Sequence, residues 1–120
     1  MRDKVNILGV AIDKVDMAEA VDRIEDFIIQ SKLNNLVITP NAEMVIRAYN
    51  DKGFRKIINS AQLVIPDGAG VVLASKLLKN ELEERVTGID LVQKLLNRGS
   101  KRDYRFYFLG AAPGVAKEAK

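Results

Sequence analysis

Four short apolar runs recur along this 120-residue chain, and each meets a glycine or a proline. Val5–Val10 reaches Gly9, Leu36–Thr39 is stopped by Pro40, Leu63–Ile65 by Pro66, and Arg105–Leu109 enters Gly110. Runs this brief, punctuated this way, read as buried strands rather than as helices. Between them the hydrophobic period lengthens. Asp16 opens a D-x-x-E capping box with Glu19, after which Met17, Val21, Ile24 and Ile28 recur at helical spacing through Ser31. Asn41 is placed to cap a helix from Ala42 to Tyr49, and Gly53 marks a further turn and helix through Asn59. Gly70–Leu78 and Ile89–Arg98 read as two more helices, the second capped by Thr87 with Asp90 three residues on. Strands alternating with helices over short connections predict an α/β fold. The expected form is a layered, mostly parallel sheet with helices on both faces, Rossmann-like, since runs so continuously apolar suit strands covered on both sides.

No linker, repeat or low-complexity tract interrupts the pattern, so residues 1–120 read as a single domain. Val115–Lys120 looks like the first turns of a helix that simply stops. A helix opened and cut short predicts a fold incomplete at its C-terminus.

Absent residue types restrict the chemistry. The chain has no Cys and no His, which excludes disulfide frameworks, zinc fingers, thiol nucleophiles, imidazole bases and Ser-His-Asp triads. Acid–base work at neutral pH must fall to Asp, Glu, Lys or Tyr, or to the substrate. No D-x-D occurs, and the nearest carboxylate pair, Glu81-x-Glu83, lies in a charged loop; neither metal nor cofactor is expected.

Net charge is only +3, but Lys94–Lys120 holds seven basic residues against two acidic ones. Such a cluster can attract phosphates or anionic lipid, or can be an ordinary solvated face. Arg105-Phe-Tyr-Phe108 could stack nucleic-acid bases, yet alternating aromatics in a strand more often pack on a core, so no nucleic-acid partner is expected. No apolar run approaches the ~18 residues of a membrane span, and Met1-Arg-Asp-Lys4 is not followed by a signal-peptide core. The expectation is a cytoplasmic chain.

In open α/β sheets ligands gather beyond the carboxyl ends of the strands, and three strand ends here carry suggestive residues. At Thr39-Pro40-Asn41 a hydroxyl and an amide suited to a sugar stand two residues apart; the plainer alternative is a proline turn with Asn41 as N-cap. At Pro66-Asp67-Gly68-Ala69-Gly70 a carboxylate is followed by glycines that let a ligand approach the backbone. Asp67 is either a turn residue or the best general-base candidate in a chain without His. Gly110-Ala-Ala-Pro113-Gly114 could offer N–H groups to a pyrophosphate, though as a nucleotide signature it is loose. Arg85, just ahead of a capped helix, could clamp an anion or position Asp67, or could pair with Glu81 on the surface.

The order of these pieces resembles one family. Thr39-Pro40-Asn41, then Ala61-Gln-Leu-Val-Ile-Pro-Asp67-Gly68-Ala-Gly70, then Glu84-Arg85-Val-Thr-Gly88-Ile-Asp90-Leu, then Phe108-Leu-Gly110-x-x-Pro113-Gly114 is similar to the WecG/TagA/CpsF glycosyltransferases. The resemblance covers nearly the whole chain but only about the first half of that family's usual domain, with residues 104–120 opening the nucleotide-binding half. It implies inverting transfer of N-acetylmannosamine from its UDP-sugar to GlcNAc-diphospho-undecaprenol, the linkage-unit step of wall teichoic acid. It also implies Asp67 as base, Thr39 and Asn41 as sugar ligands, Arg85 at the anionic part of the site, and Gly110, Pro113 and Gly114 at the nucleotide phosphates. The implied partners are a UDP-sugar donor, a polyprenyl-diphosphate-linked GlcNAc acceptor and the inner face of the cytoplasmic membrane. A missing half would leave apolar surface uncovered and favour a homo-oligomer. Sister enzymes that transfer other UDP-sugars share these motifs, which leaves the donor sugar open, as it leaves a non-catalytic module that only binds a nucleotide or sugar phosphate.

Overall fold

The computed structural model describes residues 3–30, 34–79, 82, 85–110 and 112–118. Ser31 at the end of the first predicted helix, the Glu81 and Glu83 carboxylates, Glu84, Ala111 and Lys120 lie outside the described residues. The chain is mixed α/β. Its elements run β1 (Lys4–Ile7), β2 (Val10–Asp13), α1 (Met17–Gln30), β3 (Val37–Ile38), α2 (Ala42–Asn50), α3 (Lys52–Asn59), β4 (Leu63–Val64), α4 (Ala69–Leu77), α5 (Gly88–Gly99) and α6 (Val115–Glu118).

The first strand expectation needs correcting. Val5–Val10 is not one strand but spans the turn of an antiparallel hairpin in which Val5 faces Ile12 and Ile7 faces Val10. The two turn residues, Leu8 and Gly9, have φ of +51° and +92°. Positive φ at both central positions is what a tight hairpin twisted like its strands requires. Asn6 Oδ1 accepts from the Gly9 N–H at 2.9 Å. Asn59 of α3 then grips the hairpin from outside, donating Nδ2–H to the Gly9 carbonyl at 2.8 Å and accepting the Ala11 N–H at 3.0 Å. A Cβ on Gly9 would also lie 3.0 Å from Arg55 Cδ. Gly9→Ala is therefore expected to cost about 1–2 kcal/mol in urea unfolding. Leu8→Asn, which suits a left-handed turn position better than Leu, is expected to gain a few tenths of a kcal/mol.

The parallel pairing is short but central. Val37 faces Leu63 and Ile38 faces Val64, and further bonds from the Ile65 N–H to the Ile38 carbonyl and from the Gln62 N–H to the Leu36 carbonyl extend it at both ends. Leu63, Val64 and Ile65 are all 0% exposed, and their alternation divides the core. Val64 packs with the hairpin residues Val5, Ile7, Val10 and Ile12 and with Val45, Ala48, Ile58 and Val71 of the helices α2, α3 and α4. Leu63 and Ile65 pack on the other side with Val15, Ala20 and Val21, Val86 and Leu91. One strand thus carries apolar layers on both faces.

At the edge of β4 stands a group that no sequence motif marks. Asp13, fully buried at the end of β2, accepts the Val64 N–H at 2.8 Å, with Lys4 Nζ 3.9 Å from its other oxygen. Among the described residues β4 has β3 alone as a ladder partner, and a carboxylate takes the N–H on its other edge.

Helix ends follow their caps. Asp16 accepts the Glu19 N–H, Asn41 that of Met44, Asp51 that of Phe54 and Thr87 that of Asp90. α1 packs on α5, and Glu25 of α1, only 6% exposed, is held there by Arg98 at 2.7 Å and Arg102 at 3.1 Å. Hydrogen bonds to Glu25 and Asp22 hold the Arg98 guanidinium pKa above its ordinary value. Two members of the basic C-terminal cluster are thereby paired with a buried carboxylate from the surface, while Lys94, Lys101, Arg105 and Lys117 are exposed.

The fourth expected strand, Arg105–Leu109, does not form, and the segment pairs with no strand among the described residues. Tyr107 and Leu109 are 86% and 88% exposed. Phe108 is half-buried, and the Phe106 ring lies where a Cβ on Gly99 would come within 2.7 Å. Among the described residues no helix is long and apolar enough to cross a membrane.

Candidate functional site

The pairing of β3 with β4 delivers two of the expected site residues to one place. Both strands run the same way, so Thr39 and Asp67 emerge beyond their carboxyl ends side by side. Asp67 is half-buried, and its N–H bonds the Ile65 carbonyl at 2.8 Å in a tight turn. Gly68, at φ +112°, then swings the chain into α4.

A third element closes the group. The Val86 N–H bonds the Pro66 carbonyl at 3.1 Å, which lays the segment before α5 alongside the tip of β4. Thr87 caps α5, and the N–H of Gly88, its first residue, points at Asp67 Oδ2 from 3.3 Å. A Cβ placed on Gly88 would stand 3.5 Å from Asp67 Oδ2, from Thr39 Oγ1 and from Thr39 Cγ2 alike. Glycine is thus the meeting point of the hydroxyl and the carboxylate. A cleft of about 520 Å³ opens there, walled by Ile24, Val37, Leu91, Val92 and Leu95 besides Thr39, Asp67, Gly88 and Ile89. Its walls are apolar except for one hydroxyl, one carboxylate and a helix start. That is the composition of a small-molecule site in which few polar groups fix orientation.

The remaining expected residues are distributed unevenly. Asn41 is exposed and spends its Oδ1 on the Met44 N–H at 2.9 Å, as the plainer reading anticipated. It nevertheless borders the site, because a Cβ on Gly68 would lie 3.8 Å from Asn41 Cβ. Arg85 is exposed and does not line the cleft; among the described residues no ion pair joins it to Asp67. Gly110, Pro113 and Gly114 are solvent-exposed ahead of α6, and a Cβ on either glycine would meet nothing within 4 Å. None of the three lines the Thr39–Asp67 cleft.

Gly88 lies within the Glu84–Leu91 motif, which by itself assigns it no role. A signal was present: glycine is a poor helix former, and at a first helical position almost any residue would serve. Its presence there points to a close approach.

A carboxylate and a hydroxyl thus meet a helix N-terminus at the carboxyl ends of two parallel strands, where α/β chains bind their ligands. Sequence comparison identifies the family. Residues 5–120 match the glycosyl transferase WecG/TagA/CpsF family, and the chain belongs to that family. It is similar to the N-acetylglucosaminyldiphosphoundecaprenol N-acetyl-beta-D-mannosaminyltransferases of Staphylococcus aureus strains NCTC 8325, COL and MRSA252, at 36% identity over 118 residues in each case. The match covers 98% of this chain and 46% of each of those proteins, so the chain spans about half the length of the curated relatives it matches.

Proposed function

We propose that the chain is the front portion of a single inverting glycosyltransferase domain. It transfers N-acetylmannosamine from UDP-N-acetylmannosamine to GlcNAc-diphospho-undecaprenol in wall teichoic acid linkage-unit synthesis. The observation that carries this reading is the convergence of Thr39 and Asp67 on one apolar-walled cleft. Family membership and the names of the S. aureus relatives support the substrate class.

An inverting transfer needs one in-line displacement. The acceptor hydroxyl oxygen bonds to the anomeric carbon, the bond from that carbon to the UDP oxygen breaks, and UDP leaves as the anion. A base on the face opposite UDP takes the hydroxyl proton, as the base of an inverting glycosidase takes one from water. Asp67 is that base. Thr39 and Asn41 orient a sugar, and Arg85 assists the anionic part of the substrates. Departure of UDP is helped by N–H donors and positive charge, to which the loop of Gly110, Pro113 and Gly114 contributes as residues 104–120 open the nucleotide-binding half.

The short β3–β4 pair, apolar on both faces, is the centre of a larger layered, parallel, Rossmann-like sheet. The enzyme works at the inner face of the cytoplasmic membrane, where its lipid acceptor resides, and the exposed Lys94, Lys101, Arg105 and Lys117 favour that anionic surface. Exposed Leu73, Leu77 and Leu78 support a homo-oligomer.

The direct test is sugar transfer to a short-chain GlcNAc-diphospholipid by a protein carrying this chain at the full length of its relatives. UDP-N-acetylmannosamine is expected to be used at least tenfold better than UDP-glucose or UDP-N-acetylglucosamine. Preference for another UDP-sugar would make the protein a sister transferase. Binding of UDP-sugars without any turnover would make it a binding module and overturn the proposal.

A further inference from the structure

We infer that Gly88 is a positioning residue for Asp67 and the steric determinant of the cleft, an inference that rests on the reading of Asp67 as the base. Two features of one residue carry it. The Gly88 N–H is the first of α5, where a helix has no internal acceptor for its amide, and it is given to Asp67 Oδ2 at 3.3 Å. That bond ties the carboxyl group to the start of α5. It also occupies one oxygen and leaves Oδ1 for the incoming hydroxyl.

The second feature is the missing side chain. A Cβ on Gly88 would touch Asp67 Oδ2 and both Thr39 atoms at 3.5 Å, an ordinary packing distance. The folded protein therefore tolerates a methyl group there, but a substrate atom seated between hydroxyl and carboxylate does not. Any side chain at position 88 fills the gap in which the reacting sugar must lie.

The backbone offers a clean pair of substitutions. Proline is favoured at the first helical position, and Thr87 already has the extended backbone a following proline demands, with φ −81° and ψ 142°. Gly88→Pro removes the N–H and fills the gap; Gly88→Ala fills the gap and keeps the N–H.

The experiment uses the full-length protein with 13C-labelled aspartate and 15N-labelled backbone. In Gly88→Pro, which loses the N–H as well as filling the gap, kcat is expected to fall at least tenfold below that of Gly88→Ala. In Gly88→Ala KM for a sugar substrate is expected to rise about tenfold. In the unmutated protein the Gly88 amide resonance is expected to follow the Asp67 titration, and to lose that pH dependence in Asp67→Asn. The amide measurement stands even where Gly88→Pro fails to fold. A Gly88 amide indifferent to Asp67, or equal kcat in folded Gly88→Pro and Gly88→Ala, would overturn the positioning role. Wild-type KM in Gly88→Ala would overturn the steric one. The NMR readouts need no turnover, so an inactive protein whose Gly88 amide still tracks Asp67 would count against the transferase reading and leave the hydrogen bond intact.

Discussion

Asp67→Asn in the full-length protein is expected to reduce sugar transfer by ~10²–10⁴-fold while leaving the fold in place. The amide is nearly the same shape as the carboxylate, and its oxygen can still accept the Gly88 N–H that now reaches Oδ2 from 3.3 Å. What it cannot do is take a proton. The loss corresponds to ~3–5 kcal/mol of barrier, far more than a half-buried polar substitution with its hydrogen bond kept would take from stability. Residues 1–120 contain no His or Cys, so neither an imidazole nor a thiolate among them can stand in for the lost carboxylate. Single-turnover transfer, run beside circular dichroism and urea unfolding of the same variant, separates the two quantities. Turnover within tenfold of the unmutated protein would place the base elsewhere.

Much of the fold was legible because helices are local. Asp16, Asn41 and Thr87 each announced a helix start and each accepts an amide three residues on. Strand tips were legible for a related reason: Pro40 and Pro66 end the two runs that pair in parallel, so Thr39 and Asp67 stood out as strand-end residues. Their convergence on Gly88 was not legible, since it depends on Val86 bonding back to Pro66 across an intervening helix. The hairpin was missed because Leu8-Gly9 lacks the Asn-Gly signature, so an apolar turn looked like the middle of a strand. Arg105–Leu109 erred the other way. An apolar run states what a segment would gain by burial but not which partner supplies it, and here Tyr107 and Leu109 remain exposed. The partners of the basic cluster were not legible for the same reason: charge counts along the chain do not show that Arg98 and Arg102 close on Glu25 of a distant helix.

Asp13→Ala is expected to destabilise the protein by about 3 kcal/mol, a large effect for a residue that no motif singled out. Removing the side chain leaves the Val64 N–H, now bonded at 2.8 Å, without that partner inside the core, at a cost of ~1–3 kcal/mol. A cavity beside fully buried Ile12 and Val64 adds the loss of packing. Lys4 adds little, because its ammonium is 3.9 Å away on a side chain that is 35% exposed. Asp13→Asn should therefore cost about 1 kcal/mol or less, since its amide oxygen can still accept from Val64. Lys4→Met should be close to neutral. Urea unfolding of the three variants tests the ranking, and equal losses for Ala and Asn would show that charge, not the bond to Val64, is what Asp13 supplies. The ranking bears on function because Val64 lies in the strand that ends at Pro66-Asp67. Where the edge of β4 is held by one buried carboxylate, the position of the base depends on it as well. Asp13→Ala is expected to lower kcat under conditions where the variant is still fully folded, and Asp13→Asn to restore most of it.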